Sequence, residues 1–241
     1  MDSAAKWSRR GDVLIRYISL LLALCMLLYG TYSLYDNYSI NKNAFASDKL
    51  LQYKPTDEHK ETLEGLININ SDVIAWLTVD KTHIDYPIVK CKNNMEYINK
   101  NVYGNFQLSG AIFLNSLNKP DFSDPYNVVF GHHMENGAMF GDITEFTDKS
   151  YFNSHKTGTL FLKNKTKYNI QFFACIQCDA ANVIIYNTTK GSMNQRLNYI
   201  KKHSIQYQNI NINNNDKVIA LSTCQDAVTN GRILLFGKMI R

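Results

Sequence analysis

Residues 17–35 read YISLLLALCMLLYGTYSLY, 19 positions without a charge. A helix needs about 20 mainly apolar residues to cross the hydrocarbon core of a bilayer, and tyrosines near both ends suit the two interfaces. This stretch divides the chain into a helix solvated by the membrane and a remainder that must fold on one side of it. Lys6, Arg9, Arg10 and Arg16 precede it, so the positive-inside rule keeps the N-terminus cytoplasmic and exports everything after about Asn37. A cleaved signal peptide is the competing reading, but its apolar core spans about 7–15 residues and ends at a small-residue cleavage site. The present stretch is longer and has no convincing A-x-A site. The expected organisation is residues 1–16 cytoplasmic, 17–35 transmembrane, 36–67 a linker with N-terminal helices, and 68–241 one exported domain.

The chain carries 26 basic and 21 acidic residues, net +5. Four basic and two acidic residues fall in positions 1–35, which leaves +3 for the exported part. So mild and scattered an excess argues against a nucleic-acid partner. About 200 exported residues suffice for one full hydrophobic core, and the sequence contains no internal repeat or low-complexity tract.

Past the linker, short apolar or alternating runs recur between turn residues: IAWLTV (74–79), HIDYPIV (83–89), GAIFLN (110–115), NVVFGHH (127–133), GTLFLKN (158–164), YNIQFFACIQC (168–178), KVIALSTC (217–224) and RILLFGKMI (232–240). Eight strands rich in β-branched and aromatic residues imply a closed or nearly closed barrel. Helices are expected in the linker, in NAFASDKLLQY and in TDEHKETLEGLI, the second opened by a Thr56-Asp57 cap. Others are expected at 94–99, within 139–153, and at 192–205, where Met193, Leu197 and Ile200 share one face and Lys201 and Lys202 another.

Outside a membrane, disulfides are the default for cysteines. Cys25 lies in the anchor, leaving Cys91, Cys175, Cys178 and Cys224. Cys175 and Cys178 have C-x-x-C spacing on a strand-like segment, where positions i and i+3 face opposite ways about 10 Å apart. A disulfide needs Cα atoms within about 7 Å, so both read as structural thiols. A zinc site would need a second ligand pair, for which only His132-His133 is a candidate; no metal or other cofactor is expected.

The chemistry concentrates where apolar strands give way to loops. KVIALSTC ends on Cys224, and the next run begins at Arg232. If both are strands, one loop brings a thiol and a guanidinium together. An isolated thiol with a pKa near 8.5 is mostly protonated at neutral pH, and a permanent cation favours the nucleophilic thiolate. A histidine adds a proton carrier. His59, His155 and His203 lie in helical or polar surroundings, His83 begins a strand, and His132 and His133 follow VVFG at a strand end. Consecutive strand residues face opposite ways, so one of these last two at most can meet Cys224. Ser222 and Thr223 stand just before the cysteine, as substrate contacts or as local backbone caps.

LSTC followed by Arg232 in GRILLFGKMI resembles the active-site region of sortases, the cysteine transpeptidases of Gram-positive surfaces, and NVVFGHHM resembles their catalytic-histidine segment. NSDVIAWLTVDKTHIDYPIV, GAIFLN, GHHMENGAMFGDITEF and the helix-bearing insertion before KVIALSTC resemble class B, from about Asn68 to the C-terminus. The chain departs from that pattern in carrying thiols at Cys175 and Cys178 and in a short loop between Cys224 and Arg232. The resemblance implies a mainly β fold, a sortase-type eight-stranded barrel with inserted and N-terminal helices behind one transmembrane helix. It implies Cys224 as nucleophile, His132 as general acid and base, and Arg232 as the cation for the oxyanion. The partners it implies are secreted proteins bearing a threonine-containing sorting motif and an amine of the cell-wall peptide. A secreted-side cysteine peptidase would use the same trio with water as acceptor, a pilus-type enzyme would polymerise its substrates, and an adhesion module would not need Cys224.

Overall fold

The computed structural model describes residues 2–59, 62–225 and 230–241. It comprises two compact units, Met1–Lys42 and Asn43–Arg241. The first lies within one continuous helix, α1 (Asp2–Ala44), of which Trp7–Lys42 is long and apolar enough to cross a membrane.

The second unit opens with two short helices. In α2 (Asp48–Leu51), Ser47 caps the N-terminus by accepting a hydrogen bond from Leu50 N at 3.3 Å. In α3 (Thr62–Ile69), Leu63 and Leu66 are buried. The cap expected at Thr56-Asp57 lies outside this helix. Thr56 Oγ1 instead accepts from His59 N at 3.0 Å in a turn, and residues 60 and 61 lie outside the described residues.

All eight apolar runs form strands: β1 (Val73–Val79), β2 (Asp85–Lys90), β3 (Ile112–Leu114), β4 (Tyr126–Phe130), β5 (Thr157–Leu162), β6 (Lys167–Asp179), β8 (Lys217–Cys224) and β9 (Gly231–Ile240). β7 (Ser204–Tyr207) is an additional short strand. The strands pair in the order β1, β2, β3, β4, β8, β9, β6, β5, and β5 closes back on β1. That ring is an eight-stranded barrel without an open edge. β7 continues the margin of β6 that β5 leaves, since β5 pairs with residues 167–171 of β6 and β7 with residues 174–176. Two of the ring's pairings are parallel, β2 with β3 and β4 with β8.

Between strands, a 3₁₀ helix (Gly141–Thr147) and α4 (Lys149–Ser154) fill the 139–153 segment. The insertion after β6 holds α5 (Val183–Tyr186) and α6 (Met193–His203). Ser192 caps α6, and residues 204 and 205, expected to be helical, belong to β7. Residues 94–99 form turns instead of a helix; six residues are too few to repay helix nucleation without a buried face.

The strands around β8 read as continuous apolar runs because both of their faces are covered. Ile219, Leu221, Ile233, Leu235 and Phe172 face the barrel interior. Val218, Ala220, Leu234, Phe236 and Ile176 face outward, beneath Ile185, Met193 and Ile200 of α5 and α6. Each fully buried side chain of this size stabilises the fold by about 1.5–3 kcal/mol. Gly237 of β9 lets the interior close, since a Cβ there would stand 2.3 Å from Ile170 Cγ2 and 3.1 Å from Phe172. Gly237→Ala is expected to destabilise the protein by about 1–3 kcal/mol through overpacking, read as a lower urea midpoint with an unchanged m-value.

Candidate active site

β8 and β9 are antiparallel, and their last pair sets Cys224 opposite Arg232. Residues directly opposite in such a ladder project from the same face about 5 Å apart. On its other margin β8 runs parallel to β4, with Phe130 level with Ser222. β4 ends at Phe130; just beyond it Gly131 N still donates to the Ser222 carbonyl at 3.2 Å, and His132 lines the same cavity as Cys224. His133 takes the other face and bridges to Met139. A cysteine and an arginine from two paired strands and a histidine two residues past a third thus meet at one mouth of the barrel, and all three line a cavity of about 340 Å³. Residues 226–229 of the loop between Cys224 and Arg232 lie outside the described residues.

The His132 Nε2 atom lies 2.8 Å from the Ile98 carbonyl oxygen. A carbonyl can only accept, so this contact places the proton on Nε2 and leaves Nδ1 as the nitrogen for proton exchange. Arg232 donates from Nη1 to the Gly231 carbonyl at 3.0 Å. In the sheet it stands between Cys224 on β8 and Cys178 on β6. Burial pushes the Cys178 thiol up to about 11, against a hydrogen bond with Tyr186 and the charge of Arg232. Burial alone pushes Cys175 up to about 12. Both thiols are therefore neutral at physiological pH. All the described cysteines are free, and among the described residues no group of three or more histidine, cysteine or carboxylate side chains is placed to hold a metal ion.

Ser222 and Thr223 also border the cavity. The Ser222 hydroxyl is already engaged, its Oγ lying 2.9 Å from the Tyr186 hydroxyl. Thr223, one residue on, turns its side chain to the opposite face, where it is buried.

Two walls flank the mouth. One is α5, whose Tyr186 bonds Ser222 and stacks on Phe130 with ring centroids 6.0 Å apart at 18°. Arg196 of α6 holds this wall. Buried to 4 % exposure, its guanidinium donates to the carbonyls of Ile184, Asn187, Lys190 and Gly191 and lies 4.8 Å over the Tyr126 ring. The other wall is the β3–β4 loop. Lys90 Nζ donates to the carbonyls of Asn115, Ser116 and Asn118 at 2.6–3.0 Å, and Ser116 N donates to Asn94 Oδ1 at 2.8 Å. Burial lowers the Lys90 pKa. These donors answer main-chain groups that a loop away from water would otherwise leave unpaired.

Tyr186, Lys90 and Arg196 were not singled out from the sequence. Arg196 carried a readable signal: it lies three residues after Met193 and four before Ile200, a charge on the apolar face of an amphipathic helix. Tyr186 and Lys90 carried none, because their neighbours are distant in sequence.

A closed eight-stranded barrel with a cysteine, a histidine and an arginine level at one mouth defines a sortase-like protein. No protein-family model matches the chain. A Streptococcus pyogenes class B sortase involved in pilus biogenesis is 47 % identical, with a TM-score of 0.69 over 73 % of this chain and 97 % of that one. Sortase B of Listeria monocytogenes is 29 % identical over 187 residues, 76 % of each chain. A crystal structure of a sortase B complexed with triglycine is 26 % identical, with a TM-score of 0.69 over 76 % of this chain and 86 % of that one. The chain belongs to the class B sortases.

The opposite facing of the two histidines gives a direct expectation. His132→Ala is expected to remove peptide cleavage, and His133→Ala to retain most of it, in a fluorogenic sorting-peptide assay. The reverse pattern would mean that β4 meets β8 one residue out of the described register.

Proposed function

We propose that the protein is a membrane-anchored cysteine transpeptidase that joins secreted proteins to an amine at the cell surface. The observation that carries this reading is the convergence of Cys224, His132 and Arg232 on one cavity. The Cys224 thiolate attacks the carbonyl after the threonine of a sorting motif, forming a C–S bond. Arg232 donates to the oxygen that takes up the negative charge. As the C–N bond breaks, His132 Nδ1, which holds the proton given up by the Cys224 thiol, passes it to the departing amine and a thioester remains. The acceptor amine then attacks the thioester, His132 takes a proton from it, and the thiolate leaves.

In this reading residues 17–35 cross the membrane, with 1–16 cytoplasmic and 68–241 forming the exported catalytic domain behind the 36–67 linker. The 19 uncharged residues and the preceding cations support that orientation. Ser222 contacts substrate through the hydroxyl it shares with Tyr186, while Thr223, buried on the other face and opposite Ile233 in the ladder, serves the strand end. An amine acceptor from cell-wall peptide is supported by the likeness to the sortase B complexed with triglycine. The 47 % identity to a sortase involved in pilus biogenesis favours a second acceptor, an amine on another secreted subunit.

Two variants test the roles. Full-length protein in detergent with a library of threonine-containing peptides and an amine is expected to yield an amide product, and Cys224→Ala to yield neither cleavage nor transfer at an unchanged Tm. Turnover by the alanine variant, or only hydrolysis at saturating amine, would contradict the reading. Arg232→Lys keeps the charge but loses the planar fork. It is expected to lower turnover on the order of 100-fold, as alanine does, while alkylation of Cys224 by a small neutral reagent changes little. Near-normal turnover by the lysine variant would show that charge alone suffices.

A further inference from the structure

A second cavity of about 520 Å³ adjoins the catalytic one, and Leu117 lines both. It lies between the same two walls: Asp124 and Pro125 of the β3–β4 loop on one side, Thr188, Ser192 and Asn194 of the α5–α6 segment on the other. Tyr126 marks its level on the sheet, opposite Val218. The catalytic level is six residues further along both strands, about 20 Å in extended chain. The two cavities are thus successive stretches of one trough that passes over Leu117, beside the part of β4 and β8 covered by α5 and α6.

We propose that this second cavity is a subsite for the donor polypeptide upstream of the sorting motif, in the segment about five to eight residues before the scissile bond; the proposal rests on the transpeptidase reading above. Direction follows from the reaction. The acyl half stays bound after the leaving amine departs, so it takes the walled length of the trough, and the leaving amine exits over the strand mouths past His132.

The lining sets the chemistry. Thr188 Oγ1 and the Tyr126 hydroxyl are buried and have no hydrogen-bond partner among the described residues. Burial also holds the Tyr126 phenol neutral. Thr189, Ser192, Asn194 and Asn214 add hydroxyls and amides. The two charges present are opposite and engaged: Arg196 on main-chain carbonyls, Asp124 on Asn118 Nδ2 at 3.0 Å and Lys119 N at 2.7 Å. Such a surface rewards an uncharged, polar peptide rich in serine, threonine, asparagine or glutamine, and gives an apolar segment no partner for its orphaned hydroxyls.

The test is a peptide series on full-length protein: one donor trimmed to four residues before the scissile bond, and others extended to ten with a Ser/Asn/Gln flank, a leucine flank, or the polar flank placed downstream instead. The upstream polar flank is expected to lower KM about five-fold at unchanged kcat, as uniform binding does; the leucine and downstream flanks are expected to give no gain. Asn194 is exposed at the start of α6, so Asn194→Trp fills the cavity without touching the core. It is expected to abolish the gain, leaving the trimmed peptide's kinetics and Cys224 alkylation unchanged. Equal KM for trimmed and polar-flanked donors, an equal gain from leucine or from the downstream flank, or a gain that survives Asn194→Trp would overturn the subsite. Failure to cleave any donor would instead overturn the catalytic reading on which it rests.

Discussion

Strand register at one mouth of the barrel is the constraint on which the rest depends. Cys224 faces Arg232 because β8 and β9 pair without slip from Lys217 to Cys224, and His132, two residues past the end of β4, reaches the same cavity because β4 runs parallel to β8. A shift of one residue in either pairing would turn a reactive side chain into the barrel or away from its partners. The apolar cores resist that slip from both sides. Ile219 and Leu221 are tied to the interior, Val218 and Ala220 to the outer layer under α6, so a slip would exchange two full sets of buried contacts.

The walls of the trough are irregular chain, and they are held in an unusual way. Lys90, half-buried, and Arg196, buried, both answer main-chain carbonyls with a cation. An ammonium has three donors and a guanidinium five, enough to satisfy a whole turn from one side chain. Lys90 fixes the loop that carries Asn115 and Leu117, and Arg196 fixes the turn that follows Tyr186. The walls of the cavity that Cys224 lines are therefore shaped by residues that do not themselves reach Cys224.

Much of this was legible in the sequence. The eight runs became the eight barrel strands because period and turn residues are local signals, and the ring's closure followed from their number and short spacing. Arg232 and the His132-His133 pair could be singled out because each begins or ends an apolar run, while the choice of His132 rested on the family resemblance. The walls were not legible. Residues 94–99 look helical by composition yet form turns, since the Asn94 side chain is taken up by Cys91 and Ser116 and the carbonyls of Tyr97 and Asn99 by Ala111 N and Gln107 N. α5 has only four residues, too short for a periodic signal. Tyr186 meets Ser222 across 36 positions of sequence, a contact that only the folded insertion creates.

The central claim is that Cys224 carries the acyl group between donor and acceptor. Full-length protein mixed with a sorting peptide, quenched in acid and analysed by intact-mass and peptide mass spectrometry, tests it most directly. The account predicts an adduct with the mass of the peptide's acyl half, localised to Cys224, which disappears when an amine is added as the corresponding amide forms. Amide formation without any adduct on Cys224, or an acyl group found on Cys178 or another residue, would contradict it.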